Sequence, residues 1–166
     1  FGFGNVIMSC IGAFMSWDGY CKDDPEVQAM FTPTKIKEKT TLIANAIIRL
    51  RQTLDSTGQT QAKIIVNTYP TPLARGDKTR TSETYWSRFL SNGCPFYSAD
   101  MTWAAGYVSP TVSNSVRNAV SESKVPGVRL LNMDSAGSDH ALCGDTVKTL
   151  PVSRIFRWSD TGASNI

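Results

Sequence analysis

An apolar run at residues 62–69, AKIIVNTY, stops against Pro70 and Pro72, and this abrupt ending constrains the fold more than any other feature of the chain. Its β-branched centre favours a strand, and the prolines cannot donate to a ladder, so the strand cannot continue past them. Upstream, Thr32 and Pro33 form a helix start, the hydroxyl accepting from orphan amides and the proline preset at the first helical position. Ile36, Ile43, Ile47, Leu50 and Leu54 then recur at helical spacing, with Thr40 filling the gap, as far as Gly58. Downstream, Ser109 and Pro110 repeat the capped start, and Val112, Val116, Ala119 and Val120 mark a second, shorter helix. Pro126 and Gly127 break it ahead of another apolar run at 128–133.

A further run, NVIMSCIG at 5–12, reads as a central strand, and 13–30 as a loop or short helix with Phe14 and Trp17 as packing anchors. Two strand–helix–strand units in this order predict right-handed crossovers. They give a three-layer α/β/α sandwich with a mostly parallel sheet. With 166 residues and 41% hydrophobic content, the chain reads as a single domain over 1–166 or its major fragment. Periodicity fails over 71–109, an irregular insertion whose Tyr85, Trp86, Phe96, Tyr97, Trp103 and Tyr107 either pack on the sheet or line a groove.

The net charge of +3 is modest. Lys35, Lys37, Lys39, Arg49 and Arg51 gather in one segment without interleaved aromatics, which reads as a solvated helix face and argues against a nucleic-acid partner. No apolar run is long enough for a transmembrane segment. Four cysteines, Cys10, Cys21, Cys94 and Cys143, contain no CxxC, which speaks against zinc and leaves two disulfides or buried thiols. Low charge content with many Ser, Thr, Gly and Asn points to a secreted protein, and an initial Phe1 to removal of something upstream. No glycine-rich phosphate loop, paired metal-ligand motif or haem motif occurs, so neither a cofactor nor a metal is expected.

Candidate chemistry gathers at 128–143, VRLLNMDSAGSDHALC, read as a buried strand entering a polar loop with the only histidine. In open α/β sheets, chemistry lies beyond the carboxyl ends of the strands. Asp134, Ser135, Ser138, Asp139 and His140 supply a carboxylate, hydroxyls and an imidazole. Sequence neighbours seldom face one another as nucleophile, base and orienter must. His140 is therefore read foremost as a packed loop residue, then as a cleft residue, then as a base. The tail, 146–166, carries a strand-like patch at 152–158.

VIMSCIGAF at 6–14, AKIIVNTYP at 62–70, the helix over 111–123, GVRLLNMD at 127–134 and DHALC at 139–143 occur in an order that resembles the SGNH (GDSL-type) hydrolases, specifically the secreted esterases and lipases. The resemblance implies a flavodoxin-like sandwich and a serine ester hydrolase. It also departs from that family. The GDS serine would lie upstream of this sequence; Ala13 and Phe14 stand where GGND has its asparagine and aspartate. His140 matches only the auxiliary GHxxC histidine, with Asp139 replacing the glycine. No catalytic residue is thereby assigned. The expectation is the major piece of a hydrolase acting on an ester or lipid, inactive alone, with the catalytic serine and final histidine supplied by a missing segment or a second polypeptide. The alternative is a binding protein on a degenerate scaffold, its aromatic insertion holding a partner or glycan. The GHxxC resemblance further implies a Cys94–Cys143 disulfide, worth about 4 kcal/mol by loop closure; Cys10 and Cys21 could close a shorter loop.

Overall fold

A computed structural model describes residues 2–136 and 141–145. The run expected as the first strand is a helix, α1 (Phe3–Ser16). A strand would place Val6, Met8 and Cys10 on one face, whereas a helix aligns residues four apart. Val6, Cys10 and Phe14 are buried and Met8 is 62% exposed, the helical outcome. Short apolar runs carry this ambiguity because both periods bury some of the same positions. Phe14 is the anchor expected of it; Trp17, at φ 62 on the C-terminal cap, is 70% exposed and is not. A 3₁₀ turn (Cys21–Asp23) and a short helix α2 (Pro25–Ala29) follow.

The Thr32–Pro33 signal is realised. α3 (Pro33–Ser56) begins with the Thr32 hydroxyl accepting from Lys35 N–H at 3.4 Å, and Gly58 follows at φ 78. Its buried positions, Thr40, Ala44 and Ile47, face α5 (Ser109–Ser123) in the most extensive contact between elements, so α3 is a partner of a helix before it is the cover of a sheet.

Two strands are present among the described residues. β1 (Ile64–Asn67) and β2 (Val128–Leu131) pair in parallel, Ile64 opposite Val128 and Asn67 opposite Leu131. One crossover, β1 to α5 to β2, is therefore retained from the expected pair. The three-layer sandwich is not: helices dominate and the sheet is small and open. β2 is not a buried strand either, since Arg129, Leu130 and Leu131 are exposed, and on β1 Ile65 is 64% exposed. A parallel sheet becomes a core when helices cover both faces. Here the main apolar core lies elsewhere, among Val6, Val27, Met101 and Val108 on the helices and Phe31 in the turn between α2 and α3.

The segment 71–109 is largely ordered by elements of its own. It contains a 3₁₀ turn (Gly76–Lys78), a π-type turn (Tyr85–Leu90), α4 (Ser98–Trp103) and a second π-type turn (Ala104–Val108) that runs directly into α5. Ser109 is thus not a cap: its backbone is helical, and its buried hydroxyl makes no hydrogen bond among the described residues. Pro110 is tolerated inside this long helix because it follows the wide turn, where Ser109 N–H already reaches back five residues to the Ala104 carbonyl. Both cysteine pairs form, Cys10–Cys21 with Cα atoms 4.7 Å apart and Cys94–Cys143 at 6.0 Å. The second pins 71–109 to the chain beyond β2.

Candidate ligand-binding cleft

Beyond Asn67 the chain leaves the sheet through Thr68 and the Pro70 and Pro72 turn, then lies alongside the segment 141–145. Leu142 N–H donates to Pro72 O at 2.8 Å and Ala74 N–H to Leu142 O at 3.0 Å; further on, Asp145 N–H donates to Lys78 O at 2.9 Å. The two segments so joined make one wall. The wide turn Ala104–Val108 supplies Ala105 and Gly106, and Asp134 enters from the turn after β2. Together they enclose a cleft of about 480 Å³ at the carboxyl ends of the strands. Its apolar surface comes from Leu73, Ala74, Ala105 and Ala141, and its charges from Arg75, Lys78, Asp134 and Asp145.

The charges differ in availability. Asp134 pairs with Arg117, while the Asn132 side-chain oxygen accepts from Thr68 Oγ1 at 3.3 Å, Arg117 Nη2 at 3.3 Å and Asp134 N–H at 3.1 Å. The Thr68 hydroxyl, and after it the Arg117 guanidinium, hold the Asp134 carboxyl below the usual carboxylate range. Asp134 Oδ1 is enclosed and has no hydrogen bond among the described residues, and the Thr68 hydroxyl donates to Asn132. Arg75 pairs with Asp77 at 3.1 Å. Lys78 and Asp145 are backbone neighbours, yet among the described residues neither side chain has an ion-pair partner. Gly106 lacks its ordinary helical donor, since that donor would be Pro110.

Of the residues singled out in the sequence, Asp134 reaches the cleft and Ser135 sits on the exposed turn beside it. Ser138, Asp139 and His140 lie outside the described residues, as does the strand-like patch at 152–158. Ala13 is on α1, lining a separate groove with Ser9, Asp18 and Tyr20. The insertion's aromatics mostly engage other rings: Trp103 and Tyr107 meet Phe31 at 5.6 and 6.0 Å, and Tyr85 and Tyr97 meet Phe14. Cys10 and Cys21 lie near Asp100 with ligand atoms within 4.8 Å, but bonded to each other they offer no thiolate to a metal.

Sequence reasoning passed over Lys78 and Asp145, which come together only through pairing of 72–80 with 141–145. It also passed over Arg88, whose guanidinium is 1% exposed and holds the insertion together. No protein-family model, curated protein or solved structure matches the chain. The SGNH resemblance is thereby corrected: the short motifs are present, but their first block is a helix, and among the described residues the sheet has two strands in place of the extended parallel sheet that carries that family's site. The esterase reading, its degenerate-scaffold alternative, the second polypeptide completing a triad and the ester, lipid or glycan ligand fall with it. Among the described residues no helix is long and apolar enough to cross a membrane.

Proposed function

We propose that this chain is an extracytoplasmic binding protein for a small zwitterion with an apolar portion, for which a free amino acid or dipeptide is the model ligand. The observation that carries this reading is that Lys78 and Asp145, which have no ion-pair partner among the described residues, line one cleft together with Leu73, Ala74 and Ala105. Lys78 would receive the ligand's carboxylate, Asp145 its ammonium, and Leu73, Ala74 and Ala105 its side chain. A site of about 480 Å³ is within the range of small-molecule pockets. Pairing of Cys10, Cys21, Cys94 and Cys143 into disulfides supports an oxidising compartment.

Calorimetric titration with a panel of amino acids and dipeptides tests the proposal. Binding is expected to weaken roughly tenfold or more in Lys78→Met and in Asp145→Asn, the loss of one charge-assisted hydrogen bond each. An acetylated, amidated ligand that binds as well as the zwitterion would refute it, as would no heat from any member of the panel at millimolar concentration.

A further inference from the structure

A second surface is built from rings. Trp17 stacks on Tyr85 at 6.1 Å, Tyr85 on Phe14 at 6.4 Å, Phe14 meets Tyr97 at 4.9 Å and Tyr97 meets Tyr20 edge-on at 5.2 Å. The series is joined at its centre by the buried Phe14, with Tyr85 and Tyr97 half-buried on either side of it and Trp17 and Tyr20 exposed at its ends, 70% and 44%. Scattered exposed aromatics are ordinary, whereas a contiguous set marks an interaction surface. Its surroundings are acidic. Asp18, Asp23 and Asp24 share a groove of about 580 Å³ with Tyr20, and Glu83 accepts from Ser98 N–H beside Tyr97. One cation already rests there: the Lys22 ammonium lies 5.3 Å from the Tyr20 ring centroid and pairs with Asp23 at 2.8 Å.

We propose that this aromatic ridge is a docking surface for an extended, arginine-bearing peptide segment of a partner protein. Guanidinium groups stack on ring faces and pair with carboxylates, so one residue type satisfies both features of the surface. Prolines between the arginines would keep the peptide extended and preorganised against a row of rings. The same carboxylates disfavour an anionic membrane, and the Lys22 ammonium on the ridge is already held by Asp23, which disfavours the same face of a second copy of the chain. The surface shares no lining residue with the cleft, so this inference stands apart from the ligand proposed there.

The test is calorimetric titration of the whole chain with a short Arg-Pro-Pro repeat peptide and its Glu-Pro-Pro counterpart, at about 20 and 200 mM NaCl. Saturable binding of the arginine peptide alone is expected, severalfold weaker at the higher salt. Trp17→Gly removes a ring while placing glycine at φ 62, so the fold is kept as the surface is lost. It should weaken binding roughly fivefold, with Trp17→Phe recovering part of the loss. Lys78→Met, in the cleft, should bind the peptide as wild type does. Equal affinity for the glutamate peptide, wild-type affinity in Trp17→Gly, no binding of the arginine peptide, a sedimenting dimer abolished by Trp17→Gly, or capture by anionic vesicles in place of the peptide would each overturn the proposal.

Discussion

Replacing Arg88 should be among the most damaging single changes on this chain. Its guanidinium, 1% exposed, donates through Nη1 to Phe96 O at 2.8 Å and Ser98 Oγ at 3.0 Å, and through Nη2 to Thr79 Oγ1 and Thr81 O, each at 3.0 Å. Glu83 lies 3.6 Å away, and the Arg88 carbonyl accepts from Cys94 N–H at 2.7 Å. One planar fork thus joins the segment before the π-type turn to the chain entering α4, beside the Cys94 bridge.

Arg88→Met keeps much of the side-chain volume and removes the cost of burying a charge, which offsets part of the loss. It leaves the Phe96 carbonyl and two hydroxyls without that donor and the Thr81 carbonyl with only the Thr79 hydroxyl at 3.4 Å, and an orphaned buried acceptor costs about 1–3 kcal/mol. A net destabilisation of about 3–5 kcal/mol is expected, a large part of a typical 5–15 kcal/mol total. Arg88→Lys keeps the charge but cannot reach both sides of the fork, so about 2 kcal/mol is expected. Urea unfolding followed by tryptophan fluorescence measures both as midpoint shifts at constant slope. An Arg88→Met protein within about 1 kcal/mol of wild type would refute the argument, because the carbonyls would then have other partners.

Gly76→Ala should cost about 3 kcal/mol in the same assay, because a Cβ there would overlap the backbone carbonyl group of Ser98 and force the 3₁₀ turn away from α4; a midpoint unchanged from wild type would contradict it. Paired Cys→Ser changes should cost about 4 kcal/mol for Cys94 with Cys143 and about 3 for Cys10 with Cys21, following the closed loops, and the reverse ranking would show that chain entropy is not the controlling term. Burial raises the Asp100 carboxyl above its ordinary value despite N–H bonds from Cys21 at 3.2 Å and Lys22 at 3.0 Å. Its stability contribution is therefore fullest below the unfolded pKa of about 4 and is lost as pH rises through the folded value, so Asp100→Asn should gain relative to wild type as pH climbs above about 4; a flat or falling difference curve would reject this.

Features set by local chemistry were legible in the sequence. The Thr32 and Pro33 start, the Gly58 stop and the core of the 62–69 strand depend on capping, positive φ and β-branching within a few residues, whereas α5 ends at Ser123 on a left-handed Lys124 ahead of the expected Pro126 and Gly127 break. The Cys94–Cys143 pairing was anticipated, though through a family likeness that the fold does not support, whereas the Cys10–Cys21 pairing was left open by the sequence and forms. The misread elements depend on which neighbour is available. NVIMSCIG suits a buried strand or a buried helix equally, and the choice went to the helix that sends Val6, Cys10 and Phe14 to one side. β2 has the composition of a core strand, yet it remains largely exposed although α5 lies against it. Of the cleft, Asp134 was visible because it follows a strand. Lys78 and Asp145 were not, because their meeting depends on contacts between segments far apart in sequence.

Pro110 shows how a misleading local signal can coexist with a favourable structure. Along the helix from Ser98 to Ser123, the buried residues Met101, Val108, Val112 and Ala119 keep an ordinary α-helical spacing, which would put them on one face of an unbroken helix. The two halves nevertheless serve different neighbours, α4 the turns Cys21–Asp23 and Gly76–Lys78, and α5 the long helix α3. The wide turn between them supplies the necessary rotation, since one additional residue in a turn rotates the rest of the helix by about 100°. It also brings Ala105 and Gly106 to the cleft wall. If packing on both sides holds that turn open, Pro110 occupies a position whose helical donor is already dispensable. Pro110→Ala should then change stability by less than about 1 kcal/mol, far from the ~3 kcal/mol recovered when a proline is removed from a regular helix interior. Affinity for the cleft ligand should be unchanged. A gain approaching 3 kcal/mol would show that the proline strains the helix and imposes the turn; the same gain with weakened ligand binding would show that the cleft wall depends on that strain.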